Sequence, residues 1–193
     1  MDYMPVVIGG KPESTFADPI GLLGDCHRRI ERFLSVLVRI ASEAHGGRLS
    51  EEQRTSWDTA LRYFREAAPK HTADEEESLF PRLRQINRPE VQALLARVDT
   101  LEQEHICAGK EHEEVGRLGR IWLDEGSLSP ERMARLSTVL AQLSELYRRH
   151  MAMEDDEAFP LAAAILPAAD RKAIGGEMAL RRGLRRIQNA FLP

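Results

Sequence analysis

The chain has 193 residues, 42% of them hydrophobic and 30% charged, with a formal net charge of -4. That length and balance suit one soluble domain with a sizeable core and give no electrostatic reason to expect nucleic-acid binding. No apolar run is long enough to cross a bilayer, the first residues lack a signal-peptide pattern, and two cysteines support no disulfide framework, so the expected setting is the cytoplasm.

Residues 1–17 read as a weakly ordered N-terminal arm. Asp18-Pro19 places an N-cap before a proline at the first helical position. The first predicted helix carries the stripe Ile20, Leu23, His27, Ile30, Leu34, Leu37 and Ala41, and stops at Gly46-Gly47. Ser50 with Gln53 forms a capping box for the second helix, whose stripe runs Trp57, Leu61, Phe64, Ala68, His71, Glu75 and Leu79. Pro69 predicts a kink or break in it, whereas Pro81 is tolerated near its end. Asn87 and Glu90 open a third helix with His105 and His112 on its inward face, ended by Gly126. Ser129-Pro130 opens a fourth, with Leu136, Leu140, Leu143, Tyr147, His150 and Glu154 on one stripe. A short fifth helix follows Pro167 and ends near Gly183.

Four long amphipathic helices without a strand pattern predict an all-α fold, an antiparallel up-down four-helix bundle. The bundle spans 18–165, and the C-terminal helix and tail occupy 166–193. Cys26 and Cys107 fall beside or near His27 and His105, at helical offsets that turn them away, and read as packing thiols. His45 reads as a solvated histidine at a frayed helix end.

One phrase is written twice. HTADEEESLFP at 71–81 and HMAMEDDEAFP at 150–160 both follow H-x3-E-x4-F-P, 79 residues apart. Each has a histidine at a similar distance upstream, His27 in the first case and His105 in the second, as a duplicated helical hairpin would. Four residues is about one helical turn, so each His/Glu pair projects from one face.

A lone histidine on an apolar stripe is more often a satisfied core residue than a ligand. Here His27, His71, Glu75, His105, His150 and Glu154 all lie on core-facing stripes. Each would cost roughly 1–3 kcal/mol if buried without a partner, and the carboxylates more. A cationic centre compensates all of them together, and imidazole with carboxylate suits divalent iron or zinc. Four imidazoles and two carboxylates exceed the needs of one tetrahedral ion, which favours two. The bland alternative is a hydrogen-bonded His–Glu core network.

With these motifs on the page, the chain resembles the hemerythrin-like (HHE cation-binding) family over about residues 18–165. The resemblance implies a four-helix bundle around an oxo- or hydroxo-bridged non-haem centre of two iron ions. Its implied metal ligands are His27, His71, Glu75, His105, His150 and Glu154, with Glu75 and Glu154 bridging. Two positions depart from the oxygen-carrying members. Gly109 stands where those have a second histidine, and their last carboxylate falls at Asp155, whereas the internal repeat selects Glu154. His112 reads as a core histidine or one supporting the ligands, Tyr147 as core. Asp74, Glu76, Glu77, Asp155, Asp156 and Glu157 read as a solvated acidic flank.

The resemblance therefore implies a di-iron protein whose open site meets oxygen, nitric oxide or peroxide, in sensing, detoxification or iron handling, with an unidentified redox partner. Its alternatives are an iron- or redox-responsive regulatory module and a structural zinc bundle. The sequence contains no separate acid–base or nucleophilic constellation. Arg171, Lys172, Arg181, Arg182, Arg185 and Arg186 read as a solvated helix face rather than a docking surface.

Overall fold

The computed structural model describes residues 14–184. The first thirteen residues of the expected arm, and the tail from Arg185 that includes Arg186, lie outside the described residues. Helix α1 spans Pro19–Ala44, with the Asp18 side chain accepting from the Gly21 amide. Helix α2 spans Glu51–Glu66 and begins with the expected reciprocal Ser50/Gln53 box. The chain breaks at Ala67, and α3 covers Ala68–Asp74 with Pro69 in its first turn. A π-helical turn at Glu75–Leu79 leads into α4 at Phe80–Leu83. Helix α5, Pro89–Glu125, is the longest of the described helices. Helix α6 spans Pro130–Met153, followed by a second π-helical turn at Glu154–Ala158 and by α7 at Phe159–Ile165. Helix α8, Ala168–Arg181, is the short C-terminal helix.

No strand occurs among the described residues, and α1, α2–α4, α5 and α6–α7 form the four long rods of an all-α bundle. The third rod starts one residue later than the Asn87 cap implied, with Arg88 at the cap position. Pro89 occupies the first turn, and Arg88 offers no side-chain cap. Gly126 closes α5 in the left-handed region, at φ 80°.

The two π turns were not expected. Each ends two residues before the proline of the repeated motif, at Pro81 and Pro160. A proline inside an α-helix lacks the amide hydrogen and clashes with the carbonyl four residues back. The backbone relieves this by widening, so the Phe80 amide donates to the Glu75 carbonyl and the Phe159 amide to the Glu154 carbonyl, five residues back.

The core divides in two. One cluster holds Trp57, Phe64, Leu118, Trp122, Leu136 and Leu140. The other gathers Leu23, Phe80, Val91, Phe159, Ile174 and Met178, so α8 shares a core with the rods. Along each rod the predicted polar residues fall between the two. Leu23 and Ile30 flank His27, and Leu101 and Ala108 flank His105, each pair with one member in each cluster.

The basic residues of α8 do more than face solvent. Asp74 is fully buried, and it accepts from Arg181 at 2.9 Å and Arg182 at 2.7 Å. Arg181 also reaches Glu77 and Ser78, and Arg82 holds Glu177 with two bonds. Those contacts clamp α8 over the first π turn.

Candidate metal centre

The six residues singled out by the repeat meet in the polar layer between the two apolar clusters. Among the described residues, two groups have ligand-type atoms within 4.8 Å of one another: His27 with His71 and Glu75, and His105 with His150 and Glu154. Each half of the chain supplies one group.

The carboxylates lie between the groups. Glu75 Oε1 is 3.2 Å from His71 Nε2 and 3.8 Å from His27 Nε2, while its Oε2 is 3.5 Å from His105 Nε2. Glu154 Oε2 is 3.2 Å from both His150 Nε2 and His27 Nε2. Both glutamates are 0% exposed, and none of their four oxygens accepts a well-formed hydrogen bond. Buried acceptors left in this way normally signal a missing partner. The donor set, buried imidazole nitrogen with carboxylate oxygen, fits divalent iron or zinc.

Behind the layer, acidic residues grip the outer ring nitrogens. His27 Nδ1 is 2.8 Å from Asp155, His105 Nδ1 is 2.9 Å from Glu76, and His150 Nδ1 is 2.9 Å from Glu104. A carboxylate there fixes ring orientation and turns Nε2 inward, as around known metal sites. Glu76 is therefore half-buried rather than part of a solvated flank, Asp74 is buried, and Asp155, although exposed as expected, also holds His27. Glu77, Asp156 and Glu157 are exposed as expected. Glu104 was not anticipated. The signal was present: both motif glutamates are followed by another acid, Glu76 and Asp155, and Glu104 directly precedes His105. His71 is the exception, because its Nδ1 has no partner. The residue before His27, which corresponds by the repeat to Glu104, is Cys26.

Charge is contested inside the layer. Burial opposes a proton on His27, but Asp155 and Glu154 beside it prevail and push its pKa up to about 12. Burial likewise opposes the charge on His150, and Glu154 overcomes it, raising the value to about 9. Burial, reinforced by the Glu154 charge, raises Glu75 to about 8. Burial works against ionised Glu154 too, yet His150 and His27 hold its carboxyl far below the usual range. Burial and then the positive His27 drive His71 well down.

His112 and Tyr147 lie outside both groups. The Tyr147 hydroxyl and His112 Nε2 are 2.9 Å apart, and the His112 ring stacks on Phe64 at 4.2 Å. The motif phenylalanine Phe159 stacks on His27 at 5.1 Å and closes the layer from the other side.

The family model described as the hemerythrin HHE cation binding domain matches residues 18–162. The chain is also similar to an uncharacterized protein of Haemophilus influenzae, 30% identical over 172 residues, which covers 88% of this chain and 92% of that one. No helix among the described residues is long and apolar enough to cross a membrane.

Proposed function

The chain belongs to the hemerythrin HHE cation-binding family, and on that premise we propose that the polar layer holds a pair of iron ions. His27, His71, His105 and His150 would supply the nitrogen ligands, and Glu75 and Glu154, which lie between the two groups, the carboxylate oxygens. The observation that carries this reading is the set of four carboxylate oxygens, buried without hydrogen-bond partners between two groups of imidazoles. Two buried carboxylates cannot stay ionised side by side without cations, and a divalent pair compensates both.

Bound there, the pair supplies a redox couple and a Lewis acid for a small ligand such as oxygen, nitric oxide or peroxide. The chain's own residues prepare the place. Asp155, Glu76 and Glu104 hold the Nδ1 side of three histidines and aim Nε2 inward. The apolar clusters on either side enclose both glutamates completely. Sensing, detoxification or iron handling, with an external electron partner, is the biological setting that suits such a centre.

The test is elemental analysis of protein from iron-supplied cells beside its visible spectrum in air. About two irons per chain, with near-ultraviolet bands that shift on adding azide, is the expected result. His71→Ala and His150→Ala should each lose metal. One zinc per chain, or native metal content in both variants, overturns the assignment.

A further inference from the structure

A cavity of about 600 Å³ opens between α2–α3 and α5. Leu61, Phe64, Ala68, Pro69 and Val115 make it apolar, and its inner end reaches His105, His112 and Tyr147. Gly109, exposed, and Gly116, half-buried, lie seven residues apart along its α5 side and leave that side open: a Cβ built on either meets no atom within 4 Å. Pockets for organic molecules run from roughly 300 to 1,000 Å³. A diatomic gas needs space on the order of one water, about 30 Å³. The cavity is far larger than a gas requires.

Its polar atoms define what it would hold. His112 Nδ1 is buried and has no hydrogen-bond partner, while Nε2 is engaged by Tyr147. No free cation faces the interior among the described residues. Arg65 and Arg120 are exposed at the mouth and paired with Glu66 and Asp58. His112 itself stays neutral, since burial lowers its pKa to about 4. A carboxylate placed inside would lose its water without gaining a countercharge. When Tyr147 donates to Nε2, the ring proton of His112 is left on Nδ1, an enclosed donor without a partner on a residue that lines the cavity.

We propose that this cavity binds a neutral, elongated apolar molecule bearing one acceptor oxygen, of the alcohol, aldehyde or ketone class. The oxygen sits at His112 and the hydrocarbon body lies along Gly109 and Gly116. Because His105 also lines the cavity, the molecule would lie beside the candidate metal pair. That consequence rests on the function proposed above; the binding does not.

The experiment is calorimetric titration of the full-length protein with hexan-1-ol, octan-1-ol and decan-1-ol, and with octanoate at pH 8 as the charged control. Affinity should rise about fourfold per added methylene until the cavity is full, the factor that corresponds to about 0.8 kcal/mol per buried CH₂. Octanoate should bind at least tenfold more weakly than octan-1-ol. Gly109→Leu and Gly116→Leu fill the α5 side, and each should weaken octan-1-ol at least tenfold while the melting temperature holds or rises, since leucine favours a helix over glycine. His112→Leu should weaken it severalfold through loss of the donor. No alkanol binding, equal binding by both glycine variants, or octanoate binding as tightly as octan-1-ol overturns the proposal. Metal content measured on the same samples separates the two readings. A metal-free protein that binds octan-1-ol sinks the iron centre alone, and an iron-loaded protein that ignores it sinks the cavity alone.

Discussion

Removing both Arg181 and Arg182 isolates the contribution of the clamp on Asp74. That carboxylate is 0% exposed, and two guanidinium groups approach it at 2.9 and 2.7 Å. The arginine side chains are themselves only 19% and 24% exposed, so the pairs are poorly screened. Breaking one hydrogen bond to a buried charge costs about 1.5–3 kcal/mol, and leaving the charge with no partner costs about 3–5 kcal/mol. Arg181→Ala should therefore lose about 2 kcal/mol, with Arg182 still in place, and Arg181→Ala/Arg182→Ala about 4 kcal/mol. Against a typical total of about 5–15 kcal/mol, the second loss is large. Urea denaturation at pH 7, with midpoint and slope fitted separately, measures both. Adding Asp74→Ala to the double variant removes the stranded charge and should recover part of the loss, although two more interactions are gone. A double variant within 0.5 kcal/mol of the native protein, or a triple variant no more stable than the double, would refute the reasoning.

Five other substitutions probe the layer and the core. Glu76→Ala, Glu104→Ala and Asp155→Ala should each weaken metal binding about 10- to 100-fold in a chelator competition while the melting temperature moves little; unchanged affinity in all three would mean the grips are incidental. His112→Gln should flatten part of the pH dependence of stability. In the native protein its pKa falls from 6.5 to about 4 on burial, so below pH 6.5 the unfolded chain takes up a proton that the folded chain refuses. Stability is lost as pH falls from about 6.5 to about 4, by about 3 kcal/mol, and parallel native and variant profiles over that window would contradict this. Gly119→Ala places a Cβ 2.6 Å from Trp57 Nε1 and 2.9 Å from Leu61. Against a rigid, fully buried indole this overpacking should destabilise by about 1–3 kcal/mol in denaturant, even after helix propensity returns up to about 1 kcal/mol.

The helices were legible because caps and stripes are local. Asp18-Pro19, Ser50/Gln53 and Ser129-Pro130 stand where the helices begin. The six polar residues on the stripes were legible because the repeat states their spacing twice. What escaped depends on distances between rods. Glu76 and Asp155 follow the motif glutamates at an angle that looks outward on an isolated helix, and only a neighbouring helix bearing a histidine turns them into partners. Arg181 and Arg182 read as solvated because nothing local reveals that Asp74, more than a hundred residues earlier, is buried beneath them. The π turns escaped for another reason. Pro81 and Pro160 lie late enough in their rods to look harmless, and the strain they impose is absorbed upstream, starting at Glu75 and Glu154. Gly109 was legible as an absent histidine, but the space it leaves becomes visible only once α2 and α3 lie opposite.

The grips on His27 and His105 cross the molecule. Asp155, in the second half, secures His27 in the first, and Glu76, in the first, secures His105 in the second. The two copies of the repeat are thus not interchangeable spare parts. An error that removes the acid after one motif is felt at the histidine of the other, so neither half can drift in sequence without its twin. The same exchange means that a fragment carrying either half alone keeps its own His-x3-Glu pair but loses the hand that steadies its first histidine. Duplication here yielded one indivisible unit.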